Sequence, residues 1–211
     1  MSGPSTAFPK VANASGAGSP ILARWIIAVT VGEALGFAVA AAAAVTTATL
    51  QLPDPWRYLV LVFAGAVEGA TLAAAQLVGM GPHRPHAPTW IGATAFGAAI
   101  AWSIGMLPST LAVPLTSPVG IVTLVVGAVT LLASIPVAQW LVIRSREHAA
   151  RWIPVNMCAW GLGVLWTLAP SPIVDESTSF VVLIVVYAIA GLLMAATVAS
   201  LTATTARRLF S

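Results

Sequence analysis

Residues 22–46 read LARWIIAVTVGEALGFAVAAAAAVT, an apolar run with Arg24 at its start and a lone acid, Glu33, near its middle. At 1.5 Å per helical residue such a run matches the roughly 30 Å hydrocarbon core of a bilayer. A carboxyl group at that depth is costly, so its presence points to function. Glu68 repeats the situation within residues 58–80. These two acids organise the reading of everything else.

The remainder of the chain has the same character. Over 211 residues, 59% are hydrophobic and 7% charged, with a mean hydropathy of +0.95. A soluble domain of this size has no interior large enough for that much apolar surface. The expected class is therefore all-α integral membrane. Apolar segments fall at 22–46, 58–80, 89–107, 119–143, 152–169 and 179–203. Prolines punctuate the gaps: Pro53 and Pro55, then Pro82, Pro85 and Pro88, then Pro108 to Pro118, then Pro170 and Pro172. With six spans, Lys10, Arg24, Arg84, Arg144, Arg146, Arg151, Arg207 and Arg208 share one side and Arg57 lies on the other. The positive-inside rule then places both termini in the cytoplasm of a bacterial cell, with the bundle in its plasma membrane. The same asymmetry accounts for the net charge of +3, so no nucleic-acid partner is inferred.

Residues 1–20 are rich in Ser, Gly, Pro and Ala and read as a disordered tail. The segment after Arg24 is too long for the core of a signal peptide, so it is expected to persist as the first span. Residues 21–204 form a single transmembrane domain, and 205–211 a short basic tail. Cys158 is the one cysteine, inside a span, with no disulfide or zinc pattern around it.

An internal repeat links the odd-numbered spans. Trp25-Ile26, Trp90-Ile91 and Trp152-Ile153 open them, and each has a small residue seven positions on: Gly32, Gly97 and Ala159. Gln76 and Gln139 precede the second and third of these openings at nearly equal spacing. A repeat that steps by two helices preserves orientation, so it is parallel rather than inverted. Three related helical hairpins closing into a bundle follow. Trp25, Trp90 and Trp152, with Trp56 and Trp140, are expected to anchor the bundle at the membrane interfaces.

The acids break the repeat. Glu33 lies eight residues beyond Trp25 and Glu68 eight before Gln76. Both reach a similar depth, about 12 Å from one interface. Their counterparts are Ala98 and Trp160 for Glu33, and Leu131 for Glu68. Gly32 and Gly36 flank the first acid, Gly65 and Gly69 the second, and such spacing lets helix backbones approach closely. Two carboxyls brought together do not readily both ionise, and no Lys or Arg within a span offers a partner. A neutral acid in a dry cavity is a competent general acid. Glu33 and Glu68 are thus the candidate catalytic residues. Trp102, Trp160, Phe37 and Phe63 are candidates to line a cation-stabilising cavity. Gln76, Gln139 and Asn156 form a polar set suited to the polar end of a substrate or to tying helices together. No metal-ligand spacing, paired-aspartate motif, phosphate loop or Ser/His/Asp arrangement is present, and no cofactor is implied.

Several segments carry a resemblance. They are Trp25-Ile26 leading to Gly32-Glu33-Ala34-Leu35-Gly36-Phe37, Glu68-Gly69 leading to Gln76, residues 101–109 (AWSIGMLPS), and Gln139-Trp140-Leu141-Val142. Over most of 22–170 the chain resembles small six-span actinobacterial membrane proteins. Among these it looks like the integral-membrane terpene cyclases of bacterial meroterpenoid pathways. That resemblance implies a buried carboxylic acid that protonates an isoprenoid, here a farnesylated substrate arriving from the lipid, and an aromatic wall that guides the carbocation. Two other readings stand beside it: a small proton-coupled transporter, and a non-catalytic membrane subunit or assembly protein. Membrane lipids are partners in every case, and the small-residue faces are compatible with a homo-oligomer.

Overall fold

The computed structural model describes residues 20–110, 117–172, 174–175 and 178–211; the expected disordered tail, up to residue 19, lies outside them. The elements are α1 (Pro20–Thr49), α2 (Asp54–Gly79), α3 (Ala87–Thr110), α4 (Pro118–Ile143), a 3-10 turn (Ala149–Arg151), α5 (Trp152–Leu168) and α6 (Phe180–Phe210). All regular structure among the described residues is helical. Helix starts follow local chemistry. Pro53 precedes α2, with Asp54 in the first turn. Ser117 caps α4 by accepting a hydrogen bond from the Gly120 amide at 3.0 Å. α4 runs unbroken through Pro136, and Pro154 sits harmlessly in the first turn of α5.

Five helices, α1 to α4 and α6, are long and apolar enough to cross a membrane. The fifth expected span, α5, has 17 residues, or about 26 Å of helix, just short of the usual length. Large aliphatic side chains such as Ile27, Leu35, Val119, Leu162 and Val181 stand exposed around the bundle. In water this surface would drive aggregation; against lipid tails it is matched to its solvent.

Each helix packs on its neighbours in sequence, and α1 closes the ring against α6. The α4–α5 seam is the loosest in the ring. Close approach depends on small residues. A Cβ at Gly32 would stand 2.1 Å from that of Ala75, and one at Gly69 would stand 2.5 Å from that of Ala98.

One end of the bundle is sealed by aromatic residues. Trp25, Trp90 and Trp152 are not interfacial anchors: they are 1%, 0% and 0% exposed. They converge on Phe210, also fully buried. Trp90 and Trp152 meet edge-on with centroids 6.0 Å apart, and Phe210 lies 5.8 Å from Trp152 and 5.9 Å from Trp90. Every indole N–H donates to a buried polar side chain on the adjacent even-numbered helix. Trp25 donates to Thr202 Oγ1 at 3.1 Å, Trp90 to Gln76 Oε1 at 3.0 Å and Trp152 to Gln139 Oε1 at 2.9 Å. Satisfying these donors is what allows the rings to leave the interface for the core. Trp56, by contrast, is 62% exposed.

The C-terminal segment is part of this seal rather than a loose tail, because α6 continues to Phe210. Arg146 fastens it. Its guanidinium lies 5.0 Å from the Phe210 ring centroid and donates to the carbonyls of Leu209, at 2.6 Å, and His83. Arg24 donates to the carbonyl of Met80. The starts of α1, α3 and α5 thus meet the ends of α2, α4 and α6 at one basic end.

Candidate functional site

Above the aromatic seal, a cavity of about 480 Å³ is lined by α1 to α5. That volume falls within the range of roughly 300–1,000 Å³ common for small-molecule sites. Its wall is mostly apolar, and the ionisable groups on it are Glu33 of α1 and Glu68 of α2, which stand together. Gly36 permits the approach: a Cβ there would sit 3.0 Å from the Glu68 carbonyl oxygen and 3.1 Å from its Cγ.

The two acids have different surroundings. Glu68 is 9% exposed, and its Oε2 accepts a hydrogen bond from the Trp102 indole at 2.8 Å. Glu33 is 0% exposed, and no described N–H or O–H donates to either of its oxygens. Glu68 is the one other carboxyl on the cavity wall. A carboxyl donates only when it carries a proton, and both Glu33 oxygens stand without a hydrogen-bond partner. One turn before Glu33, the Thr30 hydroxyl is also buried without a partner. Gly65 makes the Trp102 contact possible, since a Cβ there would lie 2.0 Å from the indole Cδ1.

Trp160 shares the cavity wall. So do Ala98 and Leu131, the positions that the sequence repeat aligns with the acids. The two phenylalanines lie elsewhere. Phe63 is 71% exposed on the outer face of α2. Phe37 packs into the α1–α6 contact, where a Cβ on Gly191 would meet its ring at 3.0 Å.

Gln76, Gln139 and Asn156 are buried but do not line the cavity. Gln139 Nε2 donates to Gln76 Oε1 and to Thr94 Oγ1, each at 2.9 Å. The Asn156 amide donates to the Trp152 carbonyl at 2.8 Å. Their polar atoms hold the sealed end together. Thr94 and Thr202 belong to the same set and were not singled out from sequence. Thr94 carried a signal, because it follows Trp90 by four positions as Asn156 follows Trp152. Cavity residues such as Leu132, Ile135 and Val164 carried none, being ordinary apolar residues until the fold points them inward.

No cluster of potential metal ligands occurs among the described residues. Comparison with protein-family models, curated proteins and solved structures found no match.

Proposed function

We propose that the protein is a membrane-embedded, metal-independent terpene cyclase of the kind found in bacterial meroterpenoid pathways. The observation that carries this reading is one apolar cavity holding two adjoining carboxyls and the indoles of Trp102 and Trp160. Protonation-initiated cyclisation needs a neutral acid, ring faces that stabilise a moving cation, and exclusion of water. One carboxyl gives its proton to a carbon–carbon double bond of the isoprenoid chain. The chain closes, and the final cation loses a proton to the pair, so the net reaction is an isomerisation that restores the enzyme.

The substrate enters from the lipid through the loose α4–α5 seam. In this proposal the bundle crosses the bacterial plasma membrane six times, as three hairpins of a parallel repeat, with both termini and the basic end in the cytoplasm. The three indole-to-polar bonds between neighbouring helices support the repeat. The unbroken course of α4 weighs against a transporter built on interrupted helices.

The test is incubation of membranes bearing the protein with farnesylated small molecules, followed by product analysis. Cyclised isomers that appear with the intact chain and vanish in both Glu33→Gln and Glu68→Gln are the expected result. Full turnover in both variants would sink the assignment.

A further inference from the structure

The acid pair has no cationic partner. No Lys, Arg or His lines the cavity among the described residues. An ionised carboxylate surrounded by hydrocarbon is costly. A proton is one way to cancel that charge, and a guest that brings its own positive charge is another. The Glu33 oxygens are buried at the cavity wall with no donor directed at them. Indole faces attract cations most strongly when desolvated, and Trp102 and Trp160 form part of the same wall.

The chemistry also selects the type of cation. Hard ions such as Na⁺ or Mg²⁺ require a shell of several oxygen ligands to replace their water. Two carboxyls in a mostly apolar chamber do not supply one. A soft organic cation, weakly hydrated and carried on a hydrocarbon chain, loses little on entry. Its chain is matched by Leu131, Ile135 and Val164.

We propose that the cavity binds lipophilic monocations, an alkylated ammonium on a hydrocarbon tail, with the charge held by Glu33 and Glu68 and faced by the two indoles. This rests on reading the cavity as a chamber for apolar guests. It adds that positive charge on the guest is itself recognised, as a stable ligand and not only as a fleeting intermediate.

The experiment compares octyltrimethylammonium with its uncharged carbon isostere, 2,2-dimethyldecane, by equilibrium binding to the purified full chain in a non-ionic detergent. The cation should bind about tenfold tighter or more. That preference should fall to within about threefold in the Glu33→Gln/Glu68→Gln double variant. Ala101→Phe leaves both acids in place and fills the cavity, so it should weaken both ligands together. Equal binding of cation and isostere to the intact protein overturns the proposal. So does a preference that survives in the Glu33→Gln/Glu68→Gln double variant, or undiminished binding of both ligands to Ala101→Phe. Cation binding without any cyclised product would remove the cyclase reading and leave this one standing; cyclisation without cation preference would do the reverse.

Discussion

Gly65 governs the placement of Trp102. With the indole Cδ1 only 2.0 Å from where a Cβ would stand, Gly65→Ala must push the ring away and break its bond to Glu68. Overpacking of this kind costs about 1–3 kcal/mol. The expected outcome is a lower melting temperature, altered tryptophan fluorescence, and reduced turnover as Glu68 loses its orienting donor. Removing the acids has a larger chemical effect. Glu33→Gln and Glu68→Gln should each lower turnover by about 10²–10⁴-fold, the usual worth of a positioned general acid or base, measured as initial rates of product formation. These acids were legible in the sequence because distance from a landmark tryptophan gives depth, and glycine spacing gives the packed face. The phenylalanines were not. Phe63 precedes Glu68 by five residues, which rotates it about 140° around α2 and out toward lipid. Phe37 lies on nearly the same face as Glu33, but α6 reaches it first through Gly191. Whether a ring meets a cavity or a neighbouring helix depends on tertiary packing that spacing does not encode.

Helices α4, α5 and α6 show how far element-level reading extends. Their existence followed from hydropathy, yet the end of α6 did not. Basic residues 207 and 208 suggested a solvated tail, whereas Phe210 is drawn into the aromatic seal by three indoles converging from other helices. The same convergence moved Trp25, Trp90 and Trp152 from the interface to the core, a consequence of three helix ends meeting that no single segment reveals. Phe210→Ala should therefore cost about 3–5 kcal/mol, the usual loss for a buried aromatic side chain, read as a fall in thermal midpoint in detergent. Arg208→Ala, on an exposed side chain of the same turn, should leave the midpoint nearly unchanged. The α4–α5 seam yields a different prediction. A Cβ at Gly161 would stand 3.8 Å from Leu132 Cδ1. Cysteines introduced by Leu132→Cys and Gly161→Cys, in a Cys158→Ala background, should be bridged there by a short bis-methanethiosulfonate linker. If guests enter by this route, bridging should slow their association and a reducing agent should restore it. An association rate indifferent to the cross-link places the entrance elsewhere.

At the scale of the whole molecule, α5 decides the topology. Its 17 residues fall short of a usual span by length alone. In the proposed six-span topology it traverses the bundle. Arg146, in the α4–α5 turn, donates to Leu209 at the end of α6. Both therefore lie at the basic end, and α6, 31 residues long, begins at the opposite end. In that topology the chain leaving the α4–α5 turn travels the height of the bundle to reach that start, and among the described residues α5 is the only helix between them. A short span of this kind is accommodated by local thinning of the bilayer, at a cost of fractions of a kcal/mol per Å of mismatch. Single cysteines in a Cys158→Ala background test the path. In intact cells, a membrane-impermeant thiol reagent should label Gln51→Cys and Ser171→Cys. Glu147→Cys and Arg208→Cys should be protected until the membrane is opened. Labelling of Ser171→Cys only together with Arg208→Cys would mean that α5 returns to its own side, and the ring would then have to be threaded with five crossings.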